Sequence, residues 1–272
     1  MVTSKTKVEK DLELSIQVSL DGLSFCTRNP KENALTHYHK IKFEQQLDPI
    51  KLLEEIEAIF EKETVFQQVN HLKLIFDHSL YSFVPKTLFK EENASDYLKF
   101  NTKILQTDFI ANEEIGNTGI VNIYIPYTNI INFFFEKFGE FEYQHLTSIL
   151  TKTLLSYTTN TEPQVYAHVK DKEFDLLVLE SEKVLLCNTF QFNEKEDFLY
   201  YLLFTAEQLN LDPQNFQLYL LGAIDDSSPL YKIAYTYIRN IDFLKTNFSF
   251  KRKKESEKIN FLEEFILLKS FE

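Results

Sequence analysis

Residues 17–29, QVSLDGLSFCTRN, decide how the rest of the chain is read. An apolar run reaches Asp21-Gly22, and a second apolar run leaves with Ser24 just past the bend. Asp-Gly is a favoured two-residue connection between antiparallel strands, because its two residues tolerate the positive φ that such turns demand. The stretch reads as a hairpin of strands 14–20 and 23–29.

Working outward, LTHYHKIKF (35–43) alternates as a third strand. A helix follows in DPIKLLEEIEAIFEKE, with Asp48 as cap, Pro49 in the first turn, and Ile50, Leu53, Ile56, Ile59 and Phe60 as its apolar stripe. HLKLIF (71–76) is a short buried strand. The order is strand, strand, strand, helix, strand, and the second half repeats it. VYAHV (165–169) turns through Lys170-Asp171-Lys172 into FDLLVLE (174–180). KVLLCNTFQF, a helix over 194–209 and a strand over 216–223 complete the set. Matching elements lie about 145 to 151 residues apart, the mark of an internal duplication of structural order. A helix at 229–238 and a short strand near NIDFL extend the second copy.

Between the copies the pattern gives a helix near ASDYLKF, strands at TDFIANEEI and GIVNIYIPY, and the apolar helix NIINFFFEKF closed by Gly139. Ile131, Phe134, Phe135 and Phe138 form its stripe and Phe133 widens it, as expected of a helix buried between two lobes. The polar TTNTEP (158–163) marks the boundary. The expected domains are 1–158, an N-terminal lobe with its connecting helix, and 159–272, a C-terminal lobe. Residues 1–10 are expected to be disordered.

Bulk properties narrow the function. A net charge of −12 argues against nucleic acid as partner, because phosphate binding needs clustered Lys and Arg. The one basic run, Lys251 to Lys254, stands beside Glu255 and Glu257 and reads as a solvated loop. Cys26 and Cys187 lie far apart in apolar segments, as reduced core thiols do. No apolar leader opens the chain and no run reaches membrane-span length, so a cytoplasmic location without membrane insertion is expected. With only five glycines, the chain holds neither G-x-G-x-x-G nor G-x-x-x-x-G-K-[ST].

The duplicated order resembles the actin-like ATPase superfamily, with ribonuclease H-like subdomains. The passage FFFEKFGEFEYQHLTSILTKTLL into QVYAHVKDKEFDLLVLE looks like the interdomain crossing of that fold, similar in layout to the pilus protein PilM and the cytoplasmic part of the secretion protein GspL. The whole chain looks like an uncharacterised bacterial domain-of-unknown-function family with a degenerate form of it. The resemblance implies an α/β (mixed α+β) chain of two ribonuclease H-like subdomains in an actin-like arrangement.

Active members of that superfamily hold ATP between the lobes with three turns. The first, D-x-G-[ST] with a basic residue soon after, is reduced here to Asp21-Gly22-Leu23-Ser24, with no basic residue before Arg28. The second, D-x-G-x-[GT]-[ST], corresponds to HVKDKEFDL, which has Asp171 but no Gly, Ser or Thr. Glu173 and Asp175 stand where phosphates would lie and oppose a polyanion, while Lys170 and Lys172 could offset them. The third turn keeps Gly222 alone, and Asp225, Asp226, Ser227 and Ser228 read as caps of the next helix.

His37 and His39 share one strand face without further ligands, and Asp77-His78-Ser79 reads as a turn rather than a triad. The 26 Phe and 14 Tyr read as core, with an exposed aromatic patch for a protein as the other reading. No catalytic, cofactor-binding or metal-ligating residue is assigned and no cofactor is expected. The expectation is a non-catalytic scaffold with an unidentified protein partner. The alternatives are a nucleotide-binding enzyme using Asp21, Asp171 and Asp225 around a metal, and a nuclease-type metal site.

Overall fold

A computed structural model describes residues 11–99, 103–105, 107–158 and 162–272. The start at 1–10 and residues 159–161 of the expected boundary at 158–163 lie outside the described residues.

The first lobe opens with β1 (Leu12–Val18), β2 (Gly22–Asn29), β3 (Ala34–Lys42), α1 (Pro49–Lys62) and β4 (Val69–Phe76). An inserted unit follows: β5 (Tyr81–Pro85), α2 (Ala94–Leu98), β6 (Ala111–Glu114) and β7 (Ile120–Tyr124). The lobe resumes with α3 (Thr128–Phe138) and β8 (Glu142–His145), and α4 (Leu146–Tyr157) leads out of it. The second lobe runs through β9 (Gln164–Val169), β10 (Glu173–Glu180), β11 (Lys183–Gln191), α5 (Lys195–Gln208), β12 (Gln217–Gly222), α6 (Pro229–Tyr237) and β13 (Asn240–Phe243). β14 (Lys251–Arg252) and α7 (Phe265–Lys269) complete the chain.

The duplication is visible in the sheets. The order β3-β2-β1-β4-β8 in the first lobe matches β11-β10-β9-β12-β13 in the second. In both, a meander of three antiparallel strands is followed by a strand parallel to the first, placed by a crossover helix. The match is longer than the sequence pattern indicated, because α3 and β8 answer to α6 and β13. The inserted sheet β5-β7-β6 separates β4 from α3 and masks this in the linear order.

Two helix faces differ from expectation. On α1 the buried positions are Leu52, Ile56 and Ile59, while Ile50 is 71% exposed. Ile50 and Leu52 are two residues apart, about 200° around a helix, so one cannot face the core when the other does. On α3 the buried set is Ile130, Phe133 and Phe134, and Phe135 is 60% exposed. α3 packs with α1 in the first-lobe core, not between the lobes. The helix between the lobes is α4, whose Leu150 and Leu154 share a core with Leu177 and Leu179 of β10 and Phe265 of α7.

The end of the chain returns to the first lobe. β14 pairs with β3, and Leu267, Leu268 and Phe271 pack on Cys26 and Leu35. Glu264, nearly buried, fixes this return by accepting hydrogen bonds from Tyr38 Oη at 2.7 Å and Lys40 Nζ at 2.8 Å. Arg252 stacks on Phe261 at 3.9 Å and Lys253 pairs with Glu32 at 2.6 Å, so the basic run is used in this docking.

Candidate functional site

The ends of β1, β4, β9 and β10 meet between the lobes, and each strand delivers polar groups to the junction. β1 supplies Gln17. The ladder of β1 with β4 continues one step further, Asp77 N donating to Val18 O at 2.9 Å, and this holds Asp77 at the lobe boundary. Lys170 stands at the end of β9, where its N–H closes the hairpin turn on Glu173 O at 2.8 Å. His168 and Asp175 face each other across β9 and β10.

Lys170 Nζ is the hub. It donates to Asp77 Oδ1 at 2.7 Å, lies 2.7 Å from Glu173 Oε1, and lies 3.3 Å from Asp175 Oδ2. Gln17 Nε2 donates to the other oxygen of Asp77 at 3.0 Å. Asp175, buried, also accepts from Thr189 Oγ1 at 2.7 Å and pairs with His168 Nδ1 at 3.0 Å. Tyr81 of the inserted sheet reaches Thr189 Oγ1 at 3.1 Å. One ammonium thus joins a carboxylate of the first lobe to two of the second, with the inserted sheet tied in through a hydroxyl chain.

Burial alone would favour loss of the Lys170 proton, but attraction to Asp175, Asp77 and Glu173 outweighs it and holds the pKa well above the ordinary lysine value. Asp175 is buried, which opposes ionisation, yet Lys170, His168 and Thr189 keep its carboxyl far below the usual range. Glu173 moves up, through burial and the neighbouring Asp77 and Asp175, against the pull of Lys170. Burial pushes His78 down to about 4 and the adjoining His145 well below its ordinary value, so both imidazoles are neutral at pH 7. Their rings are 4.8 Å apart, and His145 is held by Thr147 and the His78 carbonyl.

The residues singled out in sequence are dispersed. Asp21-Gly22 is a tight hairpin, with Ser19 N donating to Gly22 O at 3.0 Å and Phe43 N to Asp21 O at 2.9 Å. Ser24 Oγ donates to Glu264, towards the returning chain end. Asp171 is exposed and pairs with Lys42 at 2.7 Å. Asp225 Oδ1 accepts from Ser227 N, Ser227 Oγ and Ser228 N, and Ser228 caps α6 by accepting from Leu230 N, as the capping reading expects. His37 pairs with Glu255 and His39 stacks on Phe25. Among the described residues, no group of three or more His, Cys, Asp or Glu side chains is disposed to hold a metal ion.

Lys170, Glu173 and Asp175 were already marked by position in the second turn. Asp77, Gln17 and Thr189 were missed. The available signal for Asp77 was its place directly after the strand that pairs with β1.

Two duplicated lobes of this topology, meeting at the carboxyl ends of their central strands, define an actin-like ATPase fold. A crystal structure from Bacteroides thetaiotaomicron VPI-5482, of a protein with actin-like ATPase fold and unknown function, matches at 20% identity and a TM-score of 0.79, over 98% of this chain and 99% of that one. The PilM–PilN type IV pilus biogenesis complex matches at 11% identity and a TM-score of 0.60, over 94% and 96% of the two chains. Residues 3–241 match the family model described as protein of unknown function (DUF3822), and the chain belongs to that family. No curated protein matches it. No helix among the described residues is long and apolar enough to cross a membrane.

Proposed function

We propose that this chain is a non-catalytic protein of the actin-like fold, a scaffold that binds another protein in the cytoplasm. The observation that carries this reading is the Lys170 cluster. Where the fold would set a cation and phosphates between its second turn and the first lobe, the chain places its own ammonium, already shared by three carboxylates. A polyphosphate there would meet the repulsion of Asp77, Glu173 and Asp175, with Lys170 committed elsewhere. The backbone offers little in compensation, since the β9–β10 turn contains no glycine. The structure of PilM, which shares the fold, was solved as a complex with PilN, and this favours a protein partner here.

The test is a thermal-shift and calorimetric titration with ATP, ADP and GTP, with and without magnesium. No binding at millimolar nucleotide is expected. A magnesium-dependent shift of several degrees that disappears in Asp21→Ala would overturn the reading in favour of a divergent nucleotide site.

A further inference from the structure

A groove of about 730 Å³ lies between β5 of the inserted sheet and β11 of the second lobe. Both are edge strands, each hydrogen-bonded to a single neighbour. Register shows which backbone groups each leaves unpaired. In an antiparallel pair, only alternate residues exchange hydrogen bonds with the neighbouring strand. Phe192 N donates to Lys172 O at 2.9 Å, just beyond the β10–β11 ladder. Counting back through the register as far as its shift at Leu186, the residues Leu186, Asn188 and Phe190 bond β10, and Cys187, Thr189 and Gln191 turn their N–H and C=O outward.

One of these outward groups is met by a side chain instead of a strand. Thr189 N–H is taken by the side chain next to it, Asn188 Oδ1, at 3.0 Å. On β5 the bonds Ile125 N to Leu80 O and Lys86 N to Gly119 O set the even positions on β7. Tyr81, Phe83 and Pro85 therefore face outward, and Pro85 stands at a position where a missing N–H breaks no ladder bond. The contact of Tyr81 with Thr189 pins the two strands at one end of the groove.

We propose that this groove takes an extended segment of a partner protein, which adds as a strand to the open edge of β11 and is covered by β5. The backbone edges select an extended chain over a helix, because only an extended chain presents N–H and C=O groups at strand spacing. The lining selects its side chains. Phe83, Ile120, Val184 and Leu186 are apolar, and the one charged lining residue, Glu173, is engaged by Lys170. The occupant has alternating apolar residues and no acidic residue over about five positions, the length of β5, or roughly 17 Å. This names the surface and partner class of the scaffold reading and rests on it. The nucleotide titration can fail while the groove still binds, and the reverse, so the two are separable.

The test begins with panning a phage-displayed library of random 12-residue peptides against the full chain. Selected sequences are then synthesised and their affinity measured by fluorescence anisotropy. We expect apolar, alternating sequences whose binding falls at least tenfold in Leu185→Asp, a charge at the exposed rim of the groove. Gln191→Pro, which removes an outward N–H and no ladder bond, should weaken binding by a similar factor. N-methylation of the peptide at alternate amides should cost tenfold or more in one parity and under twofold in the other. Amide exchange at Cys187 and Thr189 should slow on binding. The proposal is overturned if no peptide is enriched, or if affinity is indifferent to Leu185→Asp, Gln191→Pro and N-methyl parity. It is equally overturned if binding is lost instead in Tyr200→Ala, which would place docking on the exposed aromatic trough between α5 and α6.

Discussion

Lys170 Nζ lies 2.7 Å from Asp77 Oδ1, an ion pair across 93 residues of sequence that joins the two lobes. Its partners are little exposed, and Asp175 is buried on the far side of the same ammonium. Removing the cation leaves three carboxylates facing one another. Lys170→Met should therefore destabilise the protein by about 3–5 kcal/mol, the cost of breaking a buried charge cluster on one side. Urea unfolding measures it, and Asp77→Asn in that background should restore part of the loss. A change below about 1 kcal/mol would mean that solvent screens the cluster.

The pH dependence has two limbs. His78 has a folded pKa of about 4 against an ordinary value of 6.5, so between these values the unfolded chain binds more protons. Stability should fall as pH drops through that window, by on the order of 3 kcal/mol for His78 alone. His145 adds in the same direction. The folded pKa of Asp175 is depressed, so its contribution is present above the ordinary aspartate value and is lost as pH falls through the lower folded value. Chemical denaturation from pH 7 to 2 should show the upper limb in full and the onset of the lower one, and His78→Gln should shrink the upper limb only.

Gly222 ends β12 at φ +91°, and a Cβ there would lie 2.2 Å from Val169 O. Gly222→Ala meets both a disfavoured backbone conformation and a backbone clash that no rotamer relieves. A loss of about 3 kcal/mol or more is expected, read as a lowered melting temperature.

Asp225 and Ser228 separate capping from metal binding. Ser228→Ala should cost about 1 kcal/mol through the lost cap of α6. Asp225→Ala should lower stability similarly and leave the titration with magnesium or manganese flat in both proteins. Metal binding that depends on Asp225 would contradict the capping role.

The duplication and the strand order of both lobes were legible because strands and helices announce themselves locally. The alternation of LTHYHKIKF, the Asp48-Pro49 start and the Asp21-Gly22 turn each sit within a few residues of the element they specify. The helix faces were read less well. In IINFFFEKF three Phe stand in succession, so composition could not say that Phe133 turns inward and Phe135 outward. That choice belongs to α1, whose Phe60 packs edge-on against Phe133 and Phe134.

The centre of the candidate site divides in the same way. Position in the β9–β10 hairpin marked Lys170, Glu173 and Asp175, since turn and strand are contiguous. Asp77 and Gln17 carried no local mark, for an Asp after a strand reads as turn chemistry until another lobe supplies a partner. The sequence by itself determined the strands and helices of the two copies, that they recur, and that the phosphate turns of the fold are altered, but it did not mark β5, β14 or α7. Only the tertiary structure decided that an ammonium from one copy meets a carboxylate from the other, that Ser24 serves the returning chain end, and that two strand edges are left open across a groove. Local periodicity fixes elements over a few residues, whereas contacts between residues 60 to 240 positions apart are set by how packed lobes come together.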